Sequence, residues 1–148
     1  MIPQFIQGLQ NLGPEVGGGP AGLTAAIYAT RAGLDCIVVE KSNLGGQVAI
    51  TPVVENYPGF QAVAGKTLSD MMLRQAAQYA RIRQGTGVTD IRRMDGLFDI
   101  STTSGIYRAK AVIIALGAEA VNFPVGEIEK AGIKVSLIGD AREPRGIA

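Results

Sequence analysis

Three glycines in one turn and a single acid at a fixed distance are the residues here whose types and spacing suit chemistry. Gly17, Gly19 and Gly22 stand in the run GGGPAG, with the spacing G-x-G-x-x-G. The first glycine of such a run allows a tight turn. The second lets backbone approach a pyrophosphate, and the third lets a helix pack close to a strand. A helix opening at Pro20, with Ala21 and Gly22 in its first turn, aims free N–H groups and the positive end of its dipole at phosphate oxygens. Pro20 suits that place because it lacks only a donor that the first turn does not use. Glu40 follows Gly22 by 18 residues, close to the ~20 at which a carboxylate accepts from ribose hydroxyls. Taken singly, the glycines make a plain turn and Glu40 is a solvated charge at a strand end. Turn, helix, strand and acid together imply the phosphate-and-ribose half of a dinucleotide site.

The elements that must position these residues are legible in part. Residues 23–32, LTAAIYATRA, are rich in Ala and Leu and predict a helix capped by Gly33. Residues 35–40, DCIVVE, predict a buried parallel strand. Residues 43–65 read as a long loop, and loops of that length in compact domains are usually functional. A second helix is expected over 67–84. Strands are expected at 87–93, 97–102 and 107–116, with turns at Asp95-Gly96 and Ser104-Gly105. The apolar run ending the third strand suits a sheet centre. Residues 118–132 form a connection, and 134–138 a last short strand before Gly139-Asp140. One part of the expected unit is missing. Gly13 and Pro14 stand where a strand should precede the glycine turn, and proline in a central strand removes a ladder hydrogen bond. Residues 1–16 are therefore expected as an atypical segment with a short helix through Ile2, Phe5, Ile6 and Leu9, and 17–148 as the binding domain. The fold class is α/β, a three-layer Rossmann-like parallel sheet with a small antiparallel β meander.

Composition narrows the function. The 148 residues are 47% apolar with a formal net charge of +1, which suits an ordered domain and gives no electrostatic reason to expect nucleic acid or an acidic membrane surface. No apolar run reaches the ~18 residues of a membrane span. The N-terminus has no basic region ahead of an apolar core and is not expected to be a secretion signal. Histidine is absent and Cys36 is the sole cysteine. His-dependent acid–base chemistry, His-ligated metal and an internal disulfide are thereby excluded, and a reducing, cytoplasmic location is expected.

Several blocks in order, GGGPAGLTAAIYATRAGL, EKSNLGGQ, ENYPGF, AKAVIIALGA and IGDA, resemble the FAD domain of the thioredoxin reductase family and its flavin-reductase relatives. The similarity runs from Gly17 to about Asp140. It implies FAD as cofactor. Gly17, Gly19, Pro20, Ala21 and Gly22 would lie on the pyrophosphate, and Glu40 and Lys41 near the adenosine ribose. Gly45, Gly46 and Gln47 would follow the cofactor towards the flavin, with Asn56 beside the ring. Val88 would bring its backbone to adenine. Ala115 and Gly117 belong to the strand-end turn, and Asp140 would bond the ribityl or phosphate part. The resemblance also implies a homodimer and a separate electron donor or acceptor protein.

The departures from that family matter as much. Between the strand ending at Ala118 and the last strand, the family carries a nicotinamide-binding domain with its own glycine fingerprint. Here the 15 residues 119–133 stand in that place. There is no Cys-x-x-Cys, and Leu116 replaces the family's Thr at the strand end. The chain thus reads as a truncated flavin domain, with no residue to name as catalytic. Three readings stand: a flavoprotein of oxidoreductase ancestry passing electrons through its flavin, a non-catalytic dinucleotide-binding module, and an apo α/β scaffold that self-associates.

Overall fold

A computed structural model describes residues 12–115, with side chains from residue 17 onward. The element order is β1 (Leu12–Val16), α1 (Pro20–Arg31), β2 (Asp35–Glu40), α2 (Gly46–Ile50), α3 (Gly65–Ala76), β3 (Arg81–Gln84), β4 (Val88–Met94), β5 (Leu97–Thr102), β6 (Gly105–Ala109) and β7 (Ile113–Ile114). Four strands form a parallel sheet in the order β3-β2-β1-β7, and β4-β5-β6 form an antiparallel meander.

The layers follow from β2. Its residues Cys36 to Val39 are all buried, as a strand covered on both faces requires. Ile37 and Val39 pack with Ile91, Ile100, Tyr107 and Ala109 of the meander and with Ile114. Cys36 and Val38 pack on the opposite face with Ala26 of α1 and with Ala80. The alternation along one strand therefore separates meander, parallel sheet and helices into three layers.

Helix α1 starts on Pro20 and stops in a Schellman motif. The N–H of Gly33 (φ +86°) donates to Thr30 O at 2.9 Å, and that of Leu34 to Ala29 O at 3.1 Å. Two orphan carbonyls are satisfied in a left-handed conformation that favours glycine.

The structure corrects the sequence expectation in four places. Residues 12–16 form a strand where none was expected, so the glycine turn has its supporting strand. Proline is tolerated there for a geometric reason. The N–H of Gly17 donates to Val39 O at 3.0 Å, so by strand alternation Pro14's nitrogen faces away from β2. On that side β7 pairs only with Glu15 and Val16, and no ladder bond to β7 is lost. The long second helix ends at Ala76, and Arg81–Gln84 becomes edge strand β3 against β2. Bonds from Tyr79 N–H and Ala80 N–H to Ala76 O, both 2.9 Å, close the last turn. The loop at 43–65 contains α2 and a bridge between Val54 and Val63. The strand expected at 107–116 divides, with β6 in the meander and β7 in the parallel sheet. The expected helix through Ile2 to Leu9, the connection 118–132 and the strand 134–138 lie outside the described residues.

Candidate functional site

In an open parallel sheet, ligands bind beyond the carboxyl ends of the strands, where the strand order reverses. Here that point is β1. Its successor β2 lies on one side and β7 on the other. The turn leaving β1 is the run Gly17 to Gly19, and it opens directly into α1.

The turn is fastened on three sides. Gly17 N–H bonds Val39 O of β2. Gly18 N–H donates to Glu40 Oε2 at 2.8 Å. Gly18 O accepts from Gly45 N–H at 2.7 Å. Gly22 comes so close to Gly17 that an added Cβ would strike the Gly17 carbonyl oxygen. This contact is the close helix–strand approach for which the third glycine of the motif is needed.

The N-terminus of α1 has the character of an anion site. No side chain caps it and no acid stands in its first turn. Helical N–H groups at this end have no intrahelical partner. A Cβ built on Gly19 would meet nothing within 4 Å, so the space over these donors is open. A pyrophosphate fits this arrangement in charge, hydrogen-bonding capacity and room.

Glu40 sits at the end of β2, half-buried, with both carboxylate oxygens engaged. Besides the Gly18 bond, Oε1 accepts from Ser42 N–H at 2.8 Å. Each oxygen keeps a further lone pair for an incoming hydroxyl. The carbonyl of Glu40 is also held, by Thr86 N–H at 2.9 Å. Gly46, in a left-handed conformation, places its would-be Cβ 3.4 Å from Gly19 Cα. Gly17, Gly18, Gly19, Gly22, Glu40, Gly45 and Gly46 therefore converge on one end of the sheet. Ala115 joins them from the end of β7, its Cβ 3.6 Å from the Cβ position of Gly22.

Other expected residues stand further out. Pro20 and Ala21 open α1. Lys41 is exposed, its Cβ 3.4 Å from the Cβ position of Gly87. Gln47 is exposed on α2, and Val88 packs against the meander core. Asn56 is exposed beside a turn closed by Phe60 N–H to Tyr57 O at 3.2 Å, with Gly59 at φ +97°. Among the described residues, Asn56 makes no hydrogen bond to the glycine turn or to Glu40. Gly117 and Asp140 lie outside the described residues.

Sequence reasoning missed Gly18 and Thr86. Gly18 occupies a variable position of the motif, yet a Cβ there would meet Leu44 Cδ2 at 2.5 Å and Glu40 Cβ at 3.1 Å. The run of three consecutive glycines was the available signal. For Thr86 the signal was its place between Gly85 and Gly87. No group of three or more His, Cys, Asp or Glu among the described residues is arranged to hold a metal. No helix among them is long and apolar enough to cross a membrane.

This architecture is a Rossmann-like FAD/NAD(P)-binding fold, and solved thioredoxin reductases share it. The enzyme from T. acidophilum matches with a TM-score of 0.70 and 42% identity over 72% of this chain and 35% of that one. The Lactococcus lactis enzyme matches at 0.69 and 31% identity, over 73% and 35%. The chain belongs to the pyridine nucleotide-disulphide oxidoreductase family, whose pattern matches residues 16–146. Among curated relatives, a 34.2 kDa protein in the rubredoxin operon of Clostridium pasteurianum is 45% identical over 81% of this chain. Thioredoxin reductase from Listeria monocytogenes is 42% identical over 82%. The chain spans 39% and 38% of the lengths of these two relatives.

Proposed function

We propose that this chain is an FAD-binding domain of thioredoxin-reductase ancestry that passes electrons through its flavin. The observation carrying this reading is the convergence of Glu40, held by Gly18 N–H at 2.8 Å, with the uncapped N-terminus of α1. Bound FAD would supply two-electron and one-electron chemistry at its flavin ring. The chain's residues bind and orient. Gly17, Gly19, Ala21 and Gly22 surround the pyrophosphate, with Pro20 setting the helix start. Glu40 accepts from the ribose hydroxyls, and Lys41 lies beside it. Gly45, Gly46, Gln47 and Asn56 follow the cofactor towards the flavin. Val88 offers its backbone to adenine. Ala115, with Gly117 and Asp140, completes the far side.

The donor and acceptor come from outside this set of residues. The chain contains no histidine, and its one thiol, Cys36, is buried under α1. The 15 residues between Ala118 and Lys134 are too few for a nicotinamide-binding domain. A separate redox protein, a homodimeric assembly and a cytoplasmic location accord with the family likeness. The apo-scaffold alternative drew in part on a broken first strand, and β1 removes that part of its support.

The test is the absorption spectrum of protein purified without added flavin. A flavin band at ~450 nm, with FAD released on denaturation, is the expected result. Colourless protein that takes up no FAD overturns the proposal. Flavin that dithionite reduces, but that passes no electrons to any acceptor, supports a non-catalytic module instead.

A further inference from the structure

The acid at the centre of the candidate site is held from behind by the loop between β3 and β4. Thr86 lies between β3 and β4 and is only 4% exposed. Its N–H donates to the carbonyl of Glu40 at 2.9 Å, two residues past the last register pair of β2 and β3, Glu40 with Gln84. Its hydroxyl shares a hydrogen bond with the hydroxyl of Ser104 at 3.3 Å. Ser104 sits in the turn that joins β5 to β6. A second pair of bonds runs parallel to this one. Gly87 N–H donates to Thr103 Oγ1 at 3.1 Å, and Thr103 N–H donates to Gly87 O at 2.9 Å. The distal turn of the meander is thus clasped to the 85–87 loop, and that loop is clasped to the end of β2.

We propose that Thr86 and Ser104 are positioning residues for the nucleotide half of the site, acting on ligand affinity through Glu40. The inference rests on the dinucleotide reading above. Thr86 does not need to touch the ligand. A buried hydroxyl with one partner holds its backbone in one place, because any shift leaves that hydroxyl unpaired. The backbone so held is the donor to Glu40 O. The Glu40 carboxylate is aligned in turn by Gly18 and Ser42, so displacement at Thr86 is transmitted to a group bonded at three points. Ser104 is the exposed end of this chain of contacts.

The test uses the chain stripped of flavin and titrated with FAD and, separately, with ADP, which carries the ribose and diphosphate without the flavin. Thr86→Val and Ser104→Ala are each expected to weaken both ligands about threefold to tenfold, the range for losing one hydroxyl bond. The double variant should lose no more than the greater single loss, since one bond is broken in all three. Thr86→Ser should restore wild-type affinity. Affinities are compared well below the melting transitions of both Ser104→Ala and wild type, where a loss of ligand reports positioning and not unfolding. Wild-type binding with unchanged variants overturns the clasp alone. Losses that multiply in the double variant also overturn it, because the two hydroxyls then act independently. A wild-type chain that binds neither ligand overturns the dinucleotide reading and the clasp with it.

Discussion

Gly18 and Glu40, 22 residues apart in sequence, are joined by a hydrogen bond from backbone N–H to carboxylate at 2.8 Å. The motif's glycine turn and its distant acid are therefore one structural unit before any ligand arrives. Glu40→Gln tests this. Glutamine has one acceptor oxygen, and its NH2 would confront either Gly18 N–H or Ser42 N–H. The variant should lose about 1 kcal/mol of stability in a denaturant titration. ADP and FAD binding should weaken by at least about tenfold, since the ribose acceptor is disturbed as well.

The glycines of the turn should respond in opposite ways to one added methyl group. In Gly22→Ala the new Cβ strikes the Gly17 carbonyl, and Gly17 is itself tied to β2 by the bond from its N–H to Val39 O. Relief requires moving α1 off the sheet, at about 1–3 kcal/mol, visible as a lowered melting temperature. Gly19 has φ −80° and open space around it. Gly19→Ala should fold as the wild type does and lose ligand, because its methyl group occupies the room a phosphate needs. Equal melting losses in the two variants would contradict this division.

Acid sensitivity should trace partly to the meander. Arg108 holds Asp99 in a two-pronged pair, Nε to Oδ1 at 2.5 Å and Nη2 to Oδ2 at 2.8 Å. The hydrogen bond from Arg108 is the main cause that lowers the Asp99 pKa below its usual 3.8. A carboxyl with a depressed folded pKa contributes stability above its unfolded value and loses it as pH falls through the folded one. The contribution is therefore complete above 3.8 and is withdrawn below it. Asp99→Asn should be less stable than wild type at neutral pH, and the two should converge in strong acid. Unfolding midpoints measured across the acid range give the comparison.

Cys36 should be silent to thiol reagents in the folded chain. It is 3% exposed and packs with Ala26, Val38 and Ala80, an environment that keeps a thiol inert. Reaction with a chromogenic disulfide should give no signal until denaturant is added, then one thiol per chain. Rapid labelling of native protein would mean that the layer between α1 and β2 opens readily.

How much of this was legible depended on where the determining forces lie. β2 could be read in full, because a β-branched run covered on both faces carries its own signature. The hairpin turns at Asp95-Gly96 and Ser104-Gly105 were readable from local turn chemistry. β1 was not, since Gly13 and Pro14 disfavour a strand locally and only pairing along both edges makes one. β3 was hidden for the opposite reason. Arg81, Arg83 and Gln84 are exposed at the sheet edge, where charged residues deter further pairing, so an apolar signature is absent. The spacing of Glu40 pointed to its place in the site. Its partners Gly18, Ser42 and Thr86 depend on how three separate turns fold against one another, which spacing does not encode.

The pairing of Val16 with Ile114 sets the order in which the chain becomes safe from its neighbours. β1 precedes β7 by about a hundred residues, and the Glu15–Val16 part of its second edge is covered only when Ile113–Ile114 arrives at the far end of the described chain. With synthesis at ~5–20 residues per second, that edge stays open for roughly 5–20 s. An uncovered strand edge is a template for a strand of another molecule. Polypeptides released before Ile113 keep that template permanently and should partition into aggregates. Two residues at the end of the crossover thus cover the part of β1, Glu15 and Val16, that leads into the glycine turn.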